Sequence, residues 1–252
     1  MNTGLLRLLP FLAVVFQFGS GRLSAQVVLG QVDDFQDGTV QNWDQGPFAG
    51  GPMNIATGGP AGAGDRFMQI FTNGGSGGAN SHMVVYNRAQ WLGNYIGQGI
   101  NAIEMDLENF GPQTLHMRLG FRGALPNFSP GYVSTFAFTL PADSAWHHAT
   151  FLIDSANMTN VGAASAYSTF FANGIAEFRL LNLAALAGTP ADLDGSTTFP
   201  NPMMLGIDNI HAIAVPEPSS LFLSLLAIVG VAAQRSRRRK RQTAGAASVT
   251  VL

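Results

Sequence analysis

An all-β fold, an antiparallel sandwich of jelly-roll type, is the class predicted for the middle of this 252-residue chain. Three observations predict it. Apolar and polar residues alternate with a period of two over many short segments, Gly- and Pro-rich stretches separate those segments, and helical signals are nearly absent. The predicted strands are, in order, Arg66–Thr72, His82–Asn87, Ile100–Asn109, Thr114–Arg122, Tyr132–Leu140, Trp146–Asp154, Ile175–Asn182 and Met204–Val215. The runs Gly58–Gly64 and Gly74–Gly78 read as loops, and Asn109-Phe110-Gly111-Pro112 reads as a turn. Only Asn157–Ala172 has the length and alanine content to suggest a helix. Eight or more strands with little helix, in a stretch of about 190 residues, point to a two-layer β fold.

The alternation is clearest in Ile100–Asn109, where Ile103, Met105 and Leu107 point one way and Glu104, Asp106 and Glu108 the other. The next strand sets Leu115, Met117, Leu119 and Phe121 inward and His116, Arg118 and Arg122 outward. Were the two to pair as a hairpin across the intervening turn, acids on one would oppose bases on the other, an arrangement that needs no chemistry to explain it.

Charge excludes some function classes. The whole chain carries a formal −2, but residues 26–215 hold fourteen Asp and Glu against five Arg and no Lys, a net −9. Such a surface repels phosphate, so no nucleic acid is expected as a partner, whereas divalent cations suit it. The chain has no cysteine, which removes disulfides, thiolate metal sites and a thiol nucleophile. His147 and His148 are adjacent and face opposite ways on a strand, His82, His116 and His211 are scattered, and no Ser-His-Asp arrangement or phosphate loop is present.

The two ends read as addresses. Arg7, an apolar stretch from Leu8 to Phe18 and the small residues Ser24 and Ala25 predict a secretory signal over 1–25. At the other end stand Pro216, Glu217 and Pro218, then thirteen residues from Leu221 to Ala233 with only Ser224 polar, then Arg235, Arg237, Arg238, Arg239, Lys240 and Arg241. Extended by Ser219 and Ser220, that run as a helix covers roughly 22 Å against a hydrocarbon core of roughly 30 Å, a marginal span suited to a temporary anchor. The cations after it should stay cytoplasmic, which puts everything before Pro216 on the far side. The expected organisation is a signal at 1–25, an ectodomain at 26–215, a sorting signal at 216–241 and a disordered tail at 242–252.

That order of Val-Pro-Glu-Pro, short apolar run and Arg-rich end resembles the PEP-CTERM sorting signal. The resemblance implies a Gram-negative bacterium that makes exopolysaccharide, a transient inner-membrane anchor, and cleavage near Pro216-Glu217-Pro218 by an exosortase, which releases the protein to the cell surface or the extracellular matrix. Gln242–Leu252 departs from the family, whose members usually stop at the basic cluster.

Gln90-Trp91-Leu92-Gly93-Asn94-Tyr95, Leu115-His116-Met117-Arg118-Leu119 and Leu205-Gly206-Ile207-Asp208-Asn209-Ile210, with other short segments over residues 30–215, resemble the ectodomains of many PEP-CTERM proteins, which are similar to jelly-roll carbohydrate-binding modules. This implies a structural or adhesive role, with binding of exopolysaccharide or another glycan. It also implies that the first and last strands lie together, a place often pinned by calcium. Asp34 and Asp208 are the candidate ligands there and Asp37 a third, the alternative being that these acids cap turns. Asp192-Leu193-Asp194-Gly195-Ser196 reads as a polar turn. Sugar stacking would fall to exposed aromatics among Trp43, Trp91, Trp146, Tyr86, Tyr95, Tyr132 and Tyr167. A non-enzyme is expected. The alternative is a β-glucan hydrolase, because Glu104-Met105-Asp106-Leu107-Glu108 resembles the Glu-x-Asp-x-Glu motif of laminarinase- and lichenase-like enzymes. In that likeness Glu104 is the nucleophile, Asp106 its electrostatic partner and Glu108 the acid/base.

Overall fold

Period-two alternation becomes two antiparallel sheets in the computed structural model, which describes residues 26–46, 50–75, 81–123, 130–195, 199 and 201–216. The strands are β1 (Val32–Asp33), β2 (Trp43–Asp44), β3 (Met53–Ile55), β4 (Phe67–Thr72), β5 (Val84–Asn87), β6 (Ala102–Asn109), β7 (Leu115–Arg122), β8 (Gly131–Ser134), β9 (Phe138–Leu140), β10 (Trp146–Leu152), β11 (Met158–Val161), β12 (Glu177–Asn182) and β13 (Met203–Ile213). One sheet runs β10-β6-β13-β4-β3, with β1 also paired to β13; the other runs β11-β8-β7-β12-β5-β2, with β9 also paired to β7. The chain passes repeatedly between the layers, and its first strand lies beside its last, as a jelly-roll sandwich requires: Val32 pairs with His211 and Asp33 with Ile210.

The inward residues close one core. Met68, Ile70, Ile103, Met105, Leu107 and Ile207 of the first sheet meet Val85, Leu115, Met117, Leu119, Phe121, Phe178 and Leu180 of the second, all buried. Burial of apolar surface at roughly 25 cal/mol per Å² is what holds the layers together, with no disulfide to assist.

The outer faces of the two sheets differ. The second is covered: the segment after β12 folds back across it through a short 3-10 turn at Pro190–Asp194, so that Leu193 joins Val133, Val161, Leu181 and Leu183 in a small second core. Leu193 comes so close to Gly120 and Gly131 that a Cβ at either would meet it at 3.0 and 2.9 Å. Under the same cover lie Arg122, Arg179 and Glu177, with Arg88 at the edge; Asp194 accepts from Arg122 at 2.7 Å and from Arg179 at 2.9 Å. Arg118 donates to the carbonyls of Leu183, Ser134, Thr135 and Ala184. Asp192 accepts from the amides of Ala187, Gly188 and Thr189, so Asp192 acts as a cap and Asp194 as a charge partner.

Three expectations are corrected. β6 and β7 do not form a hairpin; the turn at 110–112 carries the chain from one sheet to the other, so the acids of β6 and the arginines of β7 lie on opposite outer faces. The physical reason is that both strands bury one apolar face, and two sheets satisfy both at once. The strand expected over Tyr132–Leu140 is two, because residues 135–137 break the ladder between β8 and β9. The helix expected over Asn157–Ala172 is instead β11, where Met158–Val161 pairs with β8, followed by one short helix, α1 (Tyr167–Ala172). Gly162 and Ala163, both at positive φ, separate the two. Residues 1–25 and 217–252, with the signal, Glu217, Pro218, the apolar run and the basic cluster, lie outside the described residues; among those described, no helix is long and apolar enough to cross a membrane.

Candidate functional site

The outer face of the first sheet, built from β10, β6, β13 and β4, is exposed along part of its length: the His148 side chain is 58% exposed, whereas Glu108, Gly206 and Asp208 are buried. Register sets its rows: Trp146 pairs with Glu108 and His148 with Asp106 across β10 and β6, while Gly206, Asp208 and His211 of β13 sit opposite Glu108, Asp106 and Glu104. Glu104, Asp106 and Glu108 therefore share one face, as alternation predicts. With the arginines of β7 on the far side, these acids find histidine and asparagine instead. His148 Nδ1 is 2.9 Å from Asp106 and its Nε2 3.5 Å from Glu104; His211 Nδ1 is 3.1 Å from Glu104; Asn209 Nδ2 donates to Asp106 at 2.8 Å. The hydrogen bond to Asp106 raises the His148 pKa above its usual value. His211 was not assigned a role from sequence, because only the pairing of β13 with β6 brings it to Glu104.

At one end of this row lies an aromatic group. Trp146 is half-buried, donates Nε1–H to the Gly58 carbonyl at 3.0 Å and packs edge-on to Phe67, which stacks on Phe110. Gly206 makes the seat: a Cβ there would come within 2.9 Å of the Trp146 ring and 3.0 Å of Phe110, so the indole lies close against the strand. The other two tryptophans are core. Trp43 and Trp91 are 3% and 0% exposed, and both donate to one oxygen of Asp33, at 2.7 and 2.6 Å. Tyr95 and Tyr132 are also buried, and Tyr167 is tied to the Ile153 carbonyl. Tyr86 lies on the second sheet with Arg88 and Arg179 against its ring.

Asp208, opposite Asp106 on the outer side of β13, is fully buried. One carboxylate oxygen accepts from the Asn209 amide; the other, Oδ2, has no hydrogen-bond partner among the described residues. Burial, reinforced by the charges of Asp65, Asp106 and Asp34, pushes its pKa to about 7. A β-bulge between Asp208 and His211, with Asn209 at φ 50°, displaces the strand at this point. Asp34 is thus near Asp208 in the electrostatic sense, while Asp37 accepts from Thr39 and caps its own turn. The orphaned Asp208 oxygen fits a cation. No group of three His, Asp or Glu side chains among the described residues converges on one point, so a calcium ion here would draw its remaining ligands from backbone carbonyls and water.

The three residues of the hydrolase likeness are brought to one face, but both oxygens of Glu104 are engaged by histidines. Glu108 is buried and its pKa is raised, by desolvation first and then by Asp143. Four residues of extended strand separate Glu104 and Glu108 by roughly 13–14 Å along the backbone, against the roughly 5–5.5 Å between carboxyl groups of a retaining pair.

Residues 214–240 match the PEP-CTERM protein-sorting motif, so the chain carries the sorting signal of an exported protein. No curated protein matches the chain. Among solved structures, the chain is similar to an exo-β-agarase (12% identity, 74% of this chain and 25% of that one, TM-score 0.49). It is also similar to a family 11 carbohydrate-binding module from Clostridium thermocellum in complex with a β-1,3-1,4-mixed-linked tetrasaccharide (13%, 76% and 99%, 0.47). A third is a non-crystalline-cellulose-specific module, CBM28 (11%, 75% and 98%, 0.41). The chain thus spans about a quarter of the length of the agarase.

Proposed function

We propose that this is an exported glycan-binding protein of a Gram-negative cell envelope, which holds polysaccharide on the open face of its first sheet. The observation that carries the reading is Trp146: a half-exposed indole seated over Gly206, at the end of a row of carboxylates and imidazoles that bond to one another across three strands. An aromatic face stacks on the apolar face of a pyranose, and the flanking polar groups take its hydroxyls, which divides affinity from orientation. Processing by exosortase at Pro216-Glu217-Pro218, after a transient stay in the inner membrane, would release the module to the surface or matrix, where exopolysaccharide is the available ligand. Its role there is structural or adhesive.

Trp146→Ala should cost about 2 kcal/mol of glycan affinity, roughly thirtyfold, by the usual weight of a tryptophan at the centre of a contact. Gly206→Val should act in the same direction by lifting the indole from its seat. Titration calorimetry against soluble polysaccharides, the producing cell's own included, checks both; equal affinity for wild type and Trp146→Ala would sink the reading. In the hydrolase alternative, Glu104→Gln abolishes reducing-sugar release from a β-glucan. If wild type and variant are equally inert on every glucan tried, that alternative is dropped.

Asp34 and Asp208 are proposed to share a calcium ion where β1 closes against β13. At a hundred times its dissociation constant, calcium should add about 2.7 kcal/mol, roughly 5–10 °C in Tm for a domain of this size. Without an ion, the Asp208 carboxyl titrates at about 7 in the folded state against 3.8 ordinarily. Its contribution is then fully present in acid and is lost as pH rises through about 7. Asp208→Asn should flatten that slope and raise Tm at neutral pH in chelator, yet abolish any rise on adding calcium. Melting curves with calcium and with chelator separate these, and an unchanged Tm for wild type removes the ion.

A further inference from the structure

We infer that the glycan held on the open face is one that bears protonated amines, a polymer containing unacetylated amino sugars, and not a uronate or a sulfated polysaccharide. The inference rests on the glycan-binding reading and adds the charge class of the ligand.

Two independent features point to it. The first is the partition of charge between the two outer faces. Glu104, Asp106 and Glu108 line the open face, while Arg118, Arg122 and Arg179 lie under the cover on the other sheet, committed to carbonyls, Glu177 and Asp194. Arg66, one residue before β4, donates to Asn54. On β10 and β13 the basic side chains of the row are His148 and His211, each already bonded to one of its carboxylates. An anionic polymer approaching Trp146 would meet repulsion; a cationic one would meet attraction along the whole row.

The second is Asp208. Its Oδ2 is buried and has no donor among the described residues, whereas Glu104 and Asp106 beside it are bonded to His148, His211 and Asn209. A buried carboxylate oxygen left without a donor is costly, so it marks a place where a donor belongs. Asp106 lies opposite it on β6 and Asp34 and Asp65 add to its field, so when no calcium ion is bound there the donor that fits best carries a positive charge. Asp106 is the diagonal neighbour of Trp146 across the β10–β6 pair, at roughly 7–8 Å between backbones, the scale of one sugar ring. A pyranose stacked on the indole can therefore present its own or its neighbour's ammonium to Asp106, which the buried Asp208 backs from β13.

The test measures the affinity of the full chain for glucosamine oligomers, for N-acetylglucosamine oligomers of equal length and for uronate oligomers, near neutral pH, in chelator. The amine-bearing oligomers are expected to bind at least about tenfold tighter than the acetylated ones, as one charge-assisted hydrogen bond supplies. The preference should shrink as salt rises from about 0.01 to about 0.15 M and the Debye length falls from about 30 to about 8 Å. In Asp208→Asn and Asp106→Asn the ratio should fall toward one, and Glu104→Gln, at a partly exposed position, gives the same direction should either of the first two fail to fold. The inference is overturned if acetylated or uronate oligomers bind as tightly as the amines, if the ratio survives all three substitutions, or if the preference appears only with calcium. In each case stacking on Trp146 still stands. If no oligomer of any class binds and the cell's own polysaccharide does not either, the glycan-binding reading itself fails.

Discussion

Glu177→Ala is expected to destabilise the β-sandwich by about 3–5 kcal/mol, a fall in Tm of roughly 6–20 °C. Glu177 is 3% exposed and stands between Arg88 and Arg179, with Arg122 Nε 3.7 Å away. Deleting it removes the buried carboxylate from between the guanidinium groups, and the side chain of Asp194, which still bonds Arg122 and Arg179, is half exposed and screened by water. The loss reflects uncompensated charge more than the worth of the network, since a well-packed apolar replacement of all its members can be as stable. The network also sits under the chain that covers the second sheet, so its failure should expose Leu193 and Leu181. Denaturant unfolding with a hydrophobic dye as second probe checks this. A loss below about 1 kcal/mol would mean that the arginines relax outward to solvent at little cost.

Asp33→Ala should be of similar size, for a different reason. Asp33 lies in β1, 4% exposed, and its Oδ2 accepts from Trp43, Trp91 and Gln90. Two indole N–H groups would be left buried without an acceptor, each costing about 1–3 kcal/mol, in the cluster where Trp43 and Trp91 pack on Phe178. Asp33→Asn keeps an acceptor and should cost less. Burial raises the Asp33 pKa despite these bonds. The folded state therefore holds this proton more tightly than the unfolded one, and the group's contribution is present in acid and lost as pH rises through its folded value. Acid should not unfold the domain through Asp33. Unfolding curves with tryptophan emission as the probe test this. An unshifted midpoint in Asp33→Ala would show that the indoles find other acceptors.

Much of the site was legible strand by strand. That Glu104, Asp106 and Glu108 share a face follows from alternation alone, and so does the burial of Ile103, Met105 and Leu107. What faces them does not follow. The hairpin reading paired β6 with β7 because they are neighbours in sequence, and it would have neutralised the acids with Arg118 and Arg122. Their separation into different sheets leaves the acids to His148 and His211, the latter from a strand about a hundred residues away. Likewise nothing local distinguishes Trp146 from Trp43 and Trp91. Exposure depends on what lies over each ring, and for Trp146 the deciding residue is Gly206, sixty positions on.

By itself, then, the order of residues determined the address, the layer class and the facing of each strand. The sorting motif is a linear signal, and polar alternation is set by the geometry of a single extended chain. Only the tertiary structure decided which sheet each strand joins, which outer face is covered, and that Asp208 is buried with one oxygen unpartnered. Those are properties of packing between distant segments, where burial of two apolar faces at once outweighs the proximity of neighbours along the chain.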